Sequence, residues 1–278
     1  MRRFLVIFLL LALALPASAK DTNIAPLRIG LFPNLSPLTL FALHRPLAKY
    51  LETALGRPVE LATAPDFRSF VERTGAGDYD AVLTAPHLAR LAEQDGRYEA
   101  AATYDQELRA ILVVPTASPI THVSDLRGAK IAEPDPLAVV SMLGQQMLEA
   151  AGLGPGAVHW INAHSHNGAV LSVSSGLANA AVVGNVPYAQ LSEGARINLR
   201  ILATSRAIPN QAWLLNKRLS ESQRQAFKTA LMQFARTSAG RRYLKWNNYG
   251  AIRLLQPNEL KTLDPFAAKA RMQLEAKQ

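Results

Sequence analysis

From residue 27 onward the chain alternates short apolar runs with longer amphipathic stretches, the pattern of strand–helix units built on a largely parallel sheet. The run 27–32 predicts a strand, and the loop 33–37 ends it at two prolines. Leu40, Leu43, Leu47, Tyr50 and Leu51 then recur at helical spacing, which predicts a helix over 38–55 that Gly56 stops. Further strands are predicted at 59–64, 79–83, 109–115, 130–133, 158–163, 180–183 and 199–204. Asp66 caps a predicted helix over 67–73, another starts at 84–87, and 139–151 and 167–175 read as helices, the last closed by Gly176. Residues 124–128 form a short helical turn. After 204 the chain reads as helical, with Ser220 and Gln223 at capping-box spacing ahead of a helix reaching 238. Proline and glycine are spread as turn punctuation, so no flexible linker divides the chain, and no internal repeat is present.

The N-terminus changes the setting of this pattern. Arg2 and Arg3 precede the apolar run 4–15, and Pro16, Ala17, Ser18 and Ala19 supply small residues at a cleavage site, so residues 1–19 read as a secretory signal peptide and the mature chain as starting at Lys20. The apolar run is shorter than the ~20 residues a membrane helix needs, and no later stretch is long enough, so the periplasm is expected without stable membrane insertion. Of 278 residues, 259 then remain, enough for two α/β lobes of ordinary size. The absence of cysteine excludes disulfides, a lipidated cysteine, thiolate metal sites and cysteine nucleophiles. The formal charge of +9 becomes +7 once Arg2 and Arg3 leave, which suits an anionic ligand. The basic residues are dispersed and not interleaved with aromatics, so nucleic acid is not an expected partner.

Beyond these bounds the residues resemble a family. The segments LRIGLFPNLSP, PLAKYLETALGRPVELATAPDF, GDYDAVLTAPHLARL, ILVVPTASPITHVSDLRGAKIAEPDP, HSHNGAVLSVSSGLANAAVV and AIPNQAWLLNKRLS are similar, in order and spacing, to the PhnD-like substrate-binding components of phosphate, phosphite and phosphonate ABC transporters. The resemblance implies the α/β, type II periplasmic-binding-protein fold, two α/β lobes joined by two crossover strands. It places lobe one at 20–112 with 204–278 and lobe two at 113–203, with the crossings near 110–116 and 200–205. It implies a monomer without cofactor or catalytic residues, whose partners are a small, anionic ligand and an ABC permease, or in some relatives a membrane sensor such as a histidine kinase or cyclase. A periplasmic hydrolase is the rival class, but no G-x-S-x-G, H-E-x-x-H or P-loop occurs, and Asp78 and Asp80 read as turn and edge residues.

In the family an oxyanion is held at a helix N-terminus after an Asp-Pro motif. Asp135 and Pro136 match, whereas the Ser/Thr-rich turn that follows is replaced by Leu137, Ala138, Val139 and Val140, with Ser141 the first hydroxyl. The family's tyrosine before the crossover aligns with Leu108 and its acidic residue after a later strand with Gly184, while its Ser-His-Asp turn is matched by Ser165, His166 and Asn167. The resemblance therefore implies a ligand other than a simple phosphonate, a small organic anion or another oxyanion held by backbone donors and His166. The candidate ligand-binding residues are Ser36, Thr84, His87, Tyr104, Leu137, Ala138, Val139, Ser141, His166, Asn185 and Tyr188. Ser36 and Thr84 read equally as caps of their own helices, His166 as a cap of the helix from 167, and Tyr104 with Glu107 as surface residues. His164 and His166 with His87 are a weaker reading as metal ligands, since the chain has no histidine-rich tract. Trp160, Trp213 and Trp246 read as core.

Overall fold

The computed structural model describes residues 25–276; the signal peptide read at 1–19 lies outside the described residues. The first elements are β1 (Leu27–Leu31), α1 (Pro37–Leu55), β2 (Val59–Ala62), α2 (Phe67–Ala76), β3 (Ala81–Thr84), α3 (Pro86–Gln94) and β4 (Tyr98–Tyr104). Then come β5 (Ala110–Pro115), β6 (Lys130–Glu133), α4 (Val139–Ala150), β7 (His159–Asn162), α5 (His166–Ser174), β8 (Ala180–Gly184), α6 (Asn185–Gln190), α7 (Glu193–Arg196) and β9 (Leu199–Thr204). The chain closes with β10 (Ala212–Asn216), α8 (Glu221–Arg236), α9 (Ser238–Asn247), β11 (Ile252–Leu254) and α10 (Asp264–Glu275).

Local chemistry sets the element ends. The Ser36 hydroxyl accepts from Thr39 N–H at the start of α1, Pro37 occupies the first turn where no N–H is needed, and Gly56 takes the left-handed conformation (φ 58°) that closes the helix. The Ser220–Gln223 capping box forms in full at α8. That helix does not run on to 238, because Thr237 leaves the helical conformation and its hydroxyl caps α9 instead. A Cβ on Gly240 would lie 1.8 Å from the carbonyl oxygen of Phe234, so the corner between α8 and α9 admits glycine alone.

The strands form two sheets, one in the order β11-β4-β10-β3-β1-β2 and the other β7-β6-β8-β5-β9. Each is mixed rather than largely parallel: β10 runs antiparallel to β3 and β4, and β5 antiparallel to β8 and β9. The region after 204 is thus not helical throughout, since β10, fully buried along its length, forms the middle of the first sheet. This is the type II periplasmic-binding-protein arrangement, with β1–β4, β10 and β11 in one lobe and β5–β9 in the other. The backbone passes between the sheets at 105–109 and 205–211, where Leu108 and Ile208 exchange reciprocal N–H···O bonds of 3.0 and 2.9 Å. Asn185 braces this pivot, its Oδ1 accepting from Arg109 N–H and its Nδ2 donating to the Glu107 carbonyl. Asn210 Nδ2 donates to the Gln106 carbonyl alongside.

The largest apolar cluster does not stop at the lobe boundary. It runs from Phe32, Phe67, Leu88 and Ala89 in the first lobe to Leu137, Val139, Val140 and Met142 in the second, and takes in Phe266, Ala267 and Ala270 of α10. Lys269 Nζ of α10 also donates to Gln145 Oε1 of α4 across the same boundary.

Candidate ligand site between the lobes

Two helices of more than two turns begin at the mouth of the cleft without a side-chain cap: α3, behind Ala85, in the first lobe and α4, behind Ala138, in the second, with the short α6 starting beside them behind Gly184. The first amides of a helix have no intrahelical acceptor, so the Val139 and Val140 N–H groups and the positive end of the α4 dipole are left for something else. Between these helix starts lies a cavity of about 30 Å³, measured as room for water centres, which holds about two waters. The first lobe contributes Phe32, Asn34, Ala85, Gln211 and Tyr249 to its wall, the second Ala138, Val139, Val140, His166, Val186 and Pro187, and the pivot Leu108 and Asn210. No charged side chain is among them.

His166 is the first residue of α5, which Ser165 caps by accepting from Gly168 N–H, so its imidazole is free of a capping duty. Its Nδ1 accepts from Gly184 N–H at 3.2 Å, which places the ring proton on Nε2 as a donor. Its backbone N–H donates to the Asn34 carbonyl in the opposite lobe at 3.2 Å. Burial pushes the His166 imidazolium down to about 3, so the ring is neutral at physiological pH. Asn34 is 5% exposed and its Oδ1 has no hydrogen-bond partner. His87, fully buried on α3, donates from Nε2 to the Leu137 carbonyl at 2.8 Å and so ties the lobes a second time. Burial lowers its pKa to about 4 against the smaller upward pull of that bond.

Of the residues singled out from sequence, Ala138, Val139 and His166 line the cavity, whereas Leu137 and His87 bond to each other outside its lining. The others lie elsewhere. Ser36 caps α1. Thr84 is buried beneath α2 and α3, lining a separate cavity with Phe70 and Leu88. Tyr104 is inside the first lobe, neither surface nor cleft, where Trp213 Nε1 donates to its hydroxyl at 3.1 Å. The relay continues through the Tyr243 hydroxyl to His44 Nδ1 in steps of 3.0 Å. Ser141 is buried within the second lobe near Glu133, whose carboxyl burial raises to about 7 while the Ser141 hydroxyl pulls it back in part. Asn185 belongs to the pivot and Tyr188 carries the Arg196 guanidinium over its ring. His164 adopts φ 60° beside an outer groove of about 650 Å³ shared with Asp66, Arg68 and Asn162. No group of three or more His, Asp or Glu among the described residues is placed to hold a metal ion. Trp213 is core as read, whereas Trp246 is 66% exposed.

Asn34, Asn210, Gln211 and Tyr249 complete the cavity wall and were not legible as candidates. Asn34 sits in a loop between two prolines that reads as a turn, and 210–211 precede a strand whose short apolar run gives no periodicity.

Two α/β lobes, two connecting spans and a buried cavity between helix starts define a type II periplasmic-binding protein. Solved structures agree at the level of fold. A binding-protein component of a phosphonate ABC transporter from Pseudomonas aeruginosa superposes with TM-score 0.79 at 16% identity, over 90% of this chain and 89% of that one. PhnD1 of Prochlorococcus marinus, solved with methylphosphonate, gives TM-score 0.79 at 15% identity over 88% and 98%. A Xanthomonas citri protein bound to chloride ion gives 0.71 at 19% over 91% and 99%. The sequence pattern of the family described as "ABC transporter, phosphonate, periplasmic substrate-binding protein" matches residues 29–260, and the chain belongs to that family. No helix among the described residues is long and apolar enough to cross a membrane.

Proposed function

We propose that this chain captures a small anion in the cavity between its lobes, closes over it, and presents it from the periplasm to an ABC permease, without chemistry of its own. The observation that carries this reading is the meeting of two uncapped helix starts, α3 and α4, on one buried cavity that also receives the Nε2–H of His166. Backbone amides and helix dipoles favour anions whatever the side chains at 137–140 are. The apolar turn then supports closure instead of gripping the ligand, because Leu137, Ala138, Val139 and Val140 are packed into the cluster shared by both lobes.

Thermal-shift titration of the mature chain against phosphate, phosphite, methylphosphonate, methanesulfonate and acetate tests it. A ligand at a hundred times its Kd is expected to stabilise the fold by ~2.7 kcal/mol. If no small anion shifts the transition, or if His166→Phe leaves the shift of a binding anion unchanged, the reading fails.

A further inference from the structure

Resting on that reading, we infer that the cavity takes its anion in the singly charged form and discriminates against dianions: a phosphonate is bound while it still carries one P–O–H proton. Charge is the first argument. No lysine, arginine or carboxylate lines the cavity, and His166 contributes a neutral donor. The positive potential comes from two helix starts, each equivalent to roughly half an elementary charge, so together they match about one negative charge. Two further helix starts at the cavity add little: α5 is capped by Ser165 and its first N–H is spent on the Asn34 carbonyl, while α6 is only six residues long, its first N–H donates to the Arg109 carbonyl and Pro187 brings no N–H to its first turn. A second charge would sit uncompensated among Phe32, Leu108, Val139 and Val186, where an unpaired ion is strongly disfavoured.

The second argument is independent and concerns Asn34. Its Oδ1 is an acceptor without a donor, on a side chain 95% buried in the cavity wall. A fully ionised oxyanion has no donor to offer that atom. A P–O–H group supplies the missing donor, while the ligand's remaining oxygens accept from His166 Nε2–H and the α4 amides. Donors and one acceptor around an uncharged wall fit the monoanion.

Groups that titrate near this site do not supply the discrimination. Tyr249 in the wall is held protonated by burial. Behind α4 lie Glu133, with Asp135 and Lys269 acting on it, and His87 faces the Leu137 carbonyl.

The test is calorimetric titration of the mature chain in chloride-free buffer from pH 6.5 to 8.5. Methylphosphonate loses its second proton within this range, whereas methanesulfonate, of similar size, is a monoanion throughout and reports any titration of the protein. Relative to methanesulfonate, methylphosphonate affinity is expected to fall about tenfold for each pH unit above its second ionisation. The Glu133→Gln chain is expected to show the same slope. Affinity for methylphosphonate that is level or rises across the range against a level methanesulfonate control overturns the inference, as does tight methylphosphonate binding at pH 8.5 with no methanesulfonate binding. Those results leave anion capture standing, as does failure of both anions to bind, which overturns the inference alone; the reading itself falls only if phosphate, phosphite and acetate fail to bind as well.

Discussion

Three buried histidines make the fold acid-sensitive in a calculable way. His44, His87 and His166 each lose hydration in the folded state, which lowers their pKa values from 6.5 to about 3, about 4 and about 3. Each accepts or donates as a neutral ring: His44 Nδ1 receives the Tyr243 hydroxyl, His87 Nε2 donates to Leu137, and His166 Nδ1 receives Gly184 N–H. A group with a depressed folded pKa contributes nothing unfavourable above its unfolded value, and the fold loses about 1.4 kcal/mol per pH unit for each such group below it. At pH 5.5 the three together therefore cost about 4 kcal/mol. Glu133 acts in the opposite sense, because burial raises it from 4.5 to about 7 and its stability contribution is lost as pH rises through that interval. Lowering the pH from 8 to 5.5 restores about 2 kcal/mol at Glu133. The sum is a plateau from pH 8 to 6.5, a net loss of about 2 kcal/mol by pH 5.5 and about 5 by pH 4.5, the last comparable to the whole stability of many domains. Urea unfolding followed by the fluorescence of buried Trp213 at half-unit pH steps measures it, and His44→Asn or His87→Gln is expected to remove close to one proton from the slope below pH 6. A wild-type slope under one proton in that range, or variants that leave it unaltered, refutes the reasoning.

Two substitutions check the packing. A Cβ on Gly168 would stand 2.2 Å from the Ala163 carbonyl oxygen, so Gly168→Ala is expected to destabilise by about 1–3 kcal/mol and to displace the neighbouring His166, seen as a lowered Tm together with weaker anion binding. Asp80 accepts from Arg218 Nε and from Arg28 N–H and lies 3.6 Å from Arg57, so Asp80→Ala, which strands those donors, is expected to cost about 3 kcal/mol in chemical denaturation without changing ligand affinity.

The sequence was most informative where periodicity and punctuation agreed. The helix α1, its Ser36 cap and its Gly56 stop follow from spacing alone, as do the strand β9 and the α8 capping box. Strand β4 was hidden by its alanines, which carry little strand preference, and β10 by an apolar run too short to distinguish strand from helix. The site was legible in part for a similar reason. His166 matches the family's Ser-His-Asp turn and the apolar residues at 137–140 depart from the family's pattern, but Asn34 is a polar residue in a loop, and only the approach of α5 from the other lobe turns it into a cavity wall. Tyr104 shows the converse: placed just before the crossing, it points back into a relay of hydroxyls that the linear order of residues does not reveal.

The waxy turn at 137–140 shifts where the work of the cycle falls. In a receptor whose jaws are wettable, water readily refills the gap when they part. Here parting them strips Leu137, Val139 and Val140 of their neighbours and wets them, so apolar burial adds to whatever the ligand contributes to the shut form. Release then has to overcome the lobes' hold on each other as well as their hold on the anion.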